Sequence, residues 1–246
     1  MRNFVTSVVL AAAVGVYPGV AAADWSGKGE LGAAFASGNT DTENANAKLE
    51  LQNQLDSWRH TVGLTGIYAA DSNSTTGQRW EVYGQSDYQF TERDFWFGAA
   101  RYEDDRFSGF DYQATLSTGL GRHFIATDRT KLTATAGIGY KYFETRDVFD
   151  ELGNLVERGD SDANVIFRGT ADFEHQLTDT TKIIDKFLIE AGSDNTFMQN
   201  DLALQVRMTE VLALSVGYQV RHNTDPPAGF EETDTLTTVN LVYEFE

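Results

Sequence analysis

From Trp25 onward, apolar and polar residues alternate with a period of two, the spacing of a β-strand with two unlike faces. The first such segment sets Trp25, Gly27, Gly29, Leu31, Ala33 and Phe35 against Ser26, Lys28, Glu30, Gly32, Ala34 and Ala36. A second sets Ala45, Ala47, Leu49, Leu51 and Leu55 against Asn46, Lys48, Glu50, Gln52 and Gln54. The same alternation recurs around Leu132 to Tyr142 and around Leu212 to Val220. It predicts twelve strands, over 25–37, 45–56, 59–70, 78–90, 95–104, 111–124, 131–143, 163–176, 181–191, 196–208, 211–222 and 233–245. Segments 95–104 and 181–191 alternate poorly, so the pattern fixes no register there.

Strands of ten or more residues are longer than those of an ordinary sandwich. Tilted by about 40°, ten residues rise roughly 25 Å, the height of the apolar band of an outer-membrane barrel. Connections after even-numbered strands are tight, as at Ser57-Trp58 and Thr209-Glu210, and most of the others are longer, up to 144–162. Aromatic residues fall at two heights: Trp58, Trp96, Phe124, Phe173 and Phe245 near the short turns, Tyr68, Tyr102, Tyr112, Tyr142 and Tyr218 near the long loops. Two aromatic girdles account for this placement. A periplasmic lipocalin-like barrel would turn its apolar face inward and need no girdles. The expected fold is all-β, a transmembrane antiparallel up-and-down β-barrel of about twelve strands, with both termini periplasmic.

The first 23 residues stand outside that pattern. Arg2, the apolar run Phe4 to Val16 and the small residues Ala21-Ala22-Ala23 form a secretory signal, with cleavage expected between Ala23 and Asp24. The domain reading is therefore a signal over 1–23 and one barrel over 24–246. Three prolines, twenty-two glycines and ten tyrosines suit strands and turns better than helices. A net charge of −18 repels phosphate and sets nucleic acid aside as a partner.

Two stretches carry a resemblance. Ser37-Gly38-Asn39-Thr40-Asp41-Thr42-Glu43 follows the first strand, and Arg101-Tyr102-Glu103-Asp104-Asp105-Arg106-Phe107 ends the fifth. With the secretory start and the terminal Tyr243-Glu244-Phe245, they resemble the salt-induced outer-membrane protein family over essentially the whole of 24–246. The resemblance implies an outer-membrane barrel, induced by salt in some members; it implies no particular activity and carries over no catalytic residues. The last strand, Val239, Leu241, Tyr243 and Phe245 in alternation, resembles the signal read by the barrel assembly machinery; here Glu246 follows the final aromatic.

The inward face is polar and of mixed sign. Lys28, Glu30, Lys48, Glu50, Arg79, Glu81, Lys141, Arg168, Asp172, Arg207 and Arg221 are the lumen-lining candidates, with Asp87 and Glu244 on the same face. Such charges can pair and plug the lumen, or line a narrow aqueous path. Inward glycines such as Gly32, Gly63, Gly121, Gly137, Gly139 and Gly217 would thin the wall and favour the path. The outer loops hold an acidic mouth of Asp147, Asp150, Glu151, Glu157, Glu231 and Glu232, a solvated acidic surface or a binder of divalent cations. Of the four histidines, His60, His123, His175 and His222, only His222 has a serine and an acid, Ser215 and Asp225, nearby in sequence. The expected protein is a non-enzymatic barrel for envelope integrity under salt stress or narrow passage of small polar solutes. It calls for no cofactor, no metal site and no catalytic residue, and has membrane lipid and the assembly machinery as partners. The competing classes are a barrel enzyme acting on lipid or peptide at the outer rim, and a sealed structural barrel.

Overall fold

The computed structural model describes residues 24–37, 42–70, 75–106, 108–149, 155–227 and 229–245. Residues 1–23, expected from the sequence to be a secretory signal ending at Ala23, together with Asp150, Glu151 and the side chain of Glu157, lie outside the described residues. Fourteen strands follow one another: β1 Asp24–Ser37, β2 Thr42–Leu55, β3 Trp58–Ala70, β4 Thr75–Gln89, β5 Asp94–Asp105, β6 Phe110–Ala126, β7 Thr130–Thr145, β8 Val148–Phe149, β9 Leu155–Glu157, β10 Ser161–Gln176, β11 Thr181–Ala191, β12 Thr196–Arg207, β13 Leu212–Asn223 and β14 Thr233–Phe245. Twelve of them close a barrel in which each pairs antiparallel with its chain neighbour and β14 pairs back on β1. β8 and β9 form a separate two-stranded hairpin inside the long connection between β7 and β10. Closure satisfies every strand edge, as a sheet in hydrocarbon requires.

The period-two pattern becomes the two walls of the barrel. Outward positions carry exposed apolar side chains, among them Leu31, Leu116, Ile138, Val165 and Leu241. Tyr102 stacks on Tyr112 with ring centroids 5.7 Å apart, and Tyr112 meets Tyr142 at 5.8 Å. At the opposite end Trp58 meets Tyr88 at 5.0 Å and Trp96 at 6.4 Å. The two girdles are therefore runs of aromatic rings in contact across strands.

One end of the barrel, the turn end, carries the connections 56–57, 90–93, 127–129, 177–180 and 208–211 and the β1 start and β14 finish. The other, the loop end, carries the β7–β10 connection with its hairpin, and the segment 224–232 between β13 and β14. Two of its connections, 106–109 and 192–195, are as short as the turns opposite.

Candidate functional site: a lumen closed at one end

The two strands of illegible register, β5 and β11, both contribute side chains that cross the lumen. On β5, Phe95, Phe97 and Ala99 face inward and are buried, followed by Arg101, Glu103 and Asp105 on the same face. Three inward apolar residues erase the contrast between faces that the sequence pattern relies on. On β11 the inward positions mix Ile184 and Leu188 with Lys182, Lys186 and Glu190. Arg101, Glu103, Asp105, Lys186 and Glu190 were thus missed as lumen residues. The signal that could have found them is the 2-residue spacing of Arg101, Glu103 and Asp105.

At the loop end these residues bridge the lumen. Arg221 on β13 donates to Asp105 Oδ2 at 2.5 Å and to Glu103 Oε1 at 2.6 Å on β5. In the strand order of the barrel, β13 and β5 stand diametrically opposite. Arg79 on β4 donates to Gln219 Oε1 on β13 at 2.7 Å and approaches Asp105 at 3.9 Å. Arg101 pairs with Glu81 and Glu103, at 2.6 and 2.5 Å. Lys141 on β7 pairs with Glu190 at 3.3 Å.

Phe197 lies at the centre of this network, 2% exposed, with Arg221, Lys141 and Arg101 at 4.9, 5.2 and 5.4 Å from its ring. Cations packed around an aromatic ring gain from its quadrupole, more so when desolvated. Ion pairs, guanidinium groups and one phenyl ring together cross the lumen at this height. A second layer sits above it. Gly109, at φ 77°, lies under Phe230, so that a Cβ there would stand 2.6 Å from the Phe230 ring. Phe230, after β13, therefore rests on Gly109, after β5, spanning the same two walls.

Below the barrier lies a cavity of about 580 Å³, lined by acidic and basic side chains in nearly equal number. Its lining extends to Arg59, Asp87, Glu174, Lys182 and Glu244 at the turn end. Arg59 pairs with Asp87 at 2.8 Å, and Lys186 reaches Glu50 across the lumen at 3.5 Å. Tyr83 donates to Glu50 at 2.5 Å.

Eight of the lumen candidates line this cavity: Lys28, Glu30, Lys48, Glu50, Arg79, Glu81, Arg168 and Asp172. Three others stand elsewhere. Lys141 and Arg221 face inward but are buried within the barrier. Arg207 sits exposed at the turn end, where its guanidinium donates to the Asp179 carbonyl. Its parity is inward, but β12 ends there, so it meets the rim and not the lumen.

At two of the six inward glycines the expected gap is filled. The Tyr83 ring occupies the space over Gly63, and the Phe95 ring that over Gly121. Large rings from the neighbouring strand cover the gap each missing side chain leaves.

The acidic mouth is dispersed where it can be seen. Asp147 accepts from the Gly159 N–H, and Glu231 and Glu232 are exposed at the far side of the loop end. Among the described residues no three metal-ligating side chains gather in one place. His222 Nδ1 lies 2.9 Å from Thr233 Oγ1. Ser215 is buried on the inward face of β13, opposite to the face that carries His222, so the two cannot share a proton.

A family model described as "Protein of unknown function, DUF481" matches residues 29–245. The chain belongs to that family. It is 25% identical over 224 residues to an Escherichia coli (strain K12) protein described as "Uncharacterized protein YdiY", covering 88% of this chain and 82% of that one. In architecture it is similar to the NanC porin, with a TM-score of 0.56 at 11% identity, over 88% of this chain and 100% of that one. The translocator domain of the autotransporter NalP from Neisseria meningitidis matches with a TM-score of 0.55 at 10% identity, over 90% and 88% of the two chains. An outer membrane channel from Pseudomonas putida F1 matches at 0.51 and 10% identity, over 94% and 98%. The barrel has the architecture of outer-membrane proteins.

Proposed function

We propose that the protein is a non-enzymatic barrel of the outer membrane that passes small polar solutes or cations when its loop-end barrier opens. The observation that carries this reading is the polar cavity of about 580 Å³, which reaches the turn end and stops beneath the Arg221 bridge. A barrel with only a structural role has no need of a polar chamber. A barrier of side-chain ion pairs, unlike a folded plug domain, can reopen by rotamer changes alone. The separation of His222 from Ser215 supports a role without catalysis. The envelope-stress role implied by the sequence resemblance belongs to this proposal, as do divalent cations at the acidic loops.

Recording from refolded protein in a planar bilayer tests it. Wild type should show rare or small openings, and Arg221→Ala should conduct for longer at the same voltage. Silence in both, with the barrel folded, would reject the channel and leave a sealed structural barrel. That second reading is favoured by one feature, the direct bridging of opposite walls by Arg221 and Lys186.

A further inference from the structure

Among the described residues, the outward wall carries one pair of hydrogen-bonded polar side chains between its girdles; Thr118, also outward at mid-height, donates instead to the Phe97 carbonyl. Asn200 on β12 donates its side-chain amide to Asp185 Oδ1 on β11 at 2.6 Å. Both point outward, in the same rows as Phe187 and Leu202, which are 37% and 41% exposed. Asp185 lies four residues from the turn end of β11, and Asn200 four from the loop end of β12. With about 3.4 Å of rise per residue and a strand tilt near 40°, each stands roughly 10 Å from its end, close to mid-height. The other outward ionisable side chains, such as Arg122, Asp104 and Glu144, stand towards the ends of the barrel, and Arg122 has Asp94 as a partner at 3.3 Å.

A carboxylate facing hydrocarbon is unfavourable, and polar groups kept at such a depth mark a contact. Asn200 satisfies only part of it. The second oxygen of Asp185 and the second amide hydrogen of Asn200 make no hydrogen bond among the described residues. One free acceptor and one free donor, side by side, are self-complementary under a two-fold axis: Asn200 of each copy can donate to Asp185 of the other. Beside the pair, Ala171 on β10 and Ala134 on β7 face each other in register and keep the wall low, as close packing in a membrane requires.

We propose that the β10–β12 wall is the face through which a second copy of this chain docks in the membrane, with Asp185 and Asn200 exchanged between copies. The inference rests on the membrane-embedded part of the reading above and is independent of conduction.

The chain has no cysteine, so single cysteines report contacts cleanly. Full-length protein carrying Leu202→Cys, beside the pair, should form a covalent dimer with a short bismaleimide in phosphatidylcholine vesicles. Leu64→Cys, outward on β3 across the barrel, should remain monomeric. Adding Asp185→Leu and Asn200→Leu to the Leu202→Cys chain should lower cross-linking at least tenfold, while Asp185→Asn, which keeps a hydrogen-bonding group, should retain it. Folding in each case is read from the heat-dependent gel shift of an intact barrel and from resistance of the vesicle-bound protein to alkaline extraction. A shifted, extraction-resistant barrel without the Leu202→Cys dimer, or with equal cross-linking at both cysteines, overturns the docking face. So does a dimer that survives both leucine substitutions. Extraction of every chain from the vesicles would instead remove the membrane reading on which the proposal rests.

Discussion

Arg221 shows how much one side chain carries in this lumen. It is the donor to two buried carboxylates on the opposite wall, and each of these is about 2% exposed. Removing one partner of a buried ion pair leaves charge without compensation, at a cost of about 3–5 kcal/mol. Arg221→Ala should therefore lower unfolding stability in urea by that order while raising conductance. Replacing both Arg221 and Glu103 by leucine removes charge in balance, since Asp105 keeps Arg79 and Arg101 keeps Glu81. That double variant should recover most of the loss, and a loss equal to or beyond the single variant's would contradict the account. Gly109 is the matching test in the layer above. A valine there must adopt φ near 77° and displace Phe230, so Gly109→Val should lengthen openings without touching the ion pairs; unchanged gating would remove the lid from the barrier.

The strands show where sequence sufficed and where it failed. All twelve barrel strands were placed from the sequence, ten of them on clear alternation, because a wall between hydrocarbon and water imposes it residue by residue. An outward position can be tested directly. Ile138 is 66% exposed on the outer wall, and Ile138→Arg should cost about 2–4 kcal/mol if it lies near the midplane. Gln52→Arg, facing the cavity, should cost much less, as read from unfolding in bilayers. Thr135 and Ser215 face the same cavity but are buried at 8% and 5%, so an arginine there would have less room than at Gln52. That distinction was illegible, since parity gives the direction of a side chain and not what fills the space it enters. The candidate site shows the same limit. Lys28, Glu50 and Arg168 were found because their strands alternate. Arg101, Glu103 and Glu190 were missed because Phe95, Phe97, Ile184 and Leu188 share their inward faces. Phe95 and Phe97 stand at the turn end of β5, so what blurs the pattern there is packing inside the lumen and not the loop-end barrier, to which β7 and β13 contribute Lys141 and Arg221 from clearly alternating strands. The β8–β9 hairpin was missed for another reason: strands of 2 and 3 residues are too short to show a period.

Across the whole molecule, charge is distributed unevenly. The chain carries a net −18, yet the cavity lining is close to balanced, so the excess acid lies outside the lumen. Asp147, Glu231 and Glu232 at the loop end contribute to it, as do Asp128 and Asp179 at the turn end. Which end faces outward is settled by labelling: with both termini periplasmic, a tag within 144–162 should be reached on intact cells and one at Thr127-Asp128 should not. The reverse would invert the barrel. Ions entering an opened lumen from the loop end pass an acidic rim before a neutral chamber, whereas the turn end sets Arg93, Arg129 and Arg207 against its acids. A rim acts through its field in solution, which extends about 10 Å at 0.1 M salt and about 3 Å at 1 M. A chamber of opposed, partly buried charges is screened much less. Arg221→Ala channels should thus favour cations at 0.1 M, as a reversal potential under a salt gradient will read, and lose most of that preference at 1 M. Neutralising Glu231 and Glu232 together should reduce the low-salt preference and leave the high-salt value unchanged. A cation preference that persists at 1 M would place selectivity in the chamber, where removing Arg221 exposes Glu103 and Asp105 to the path.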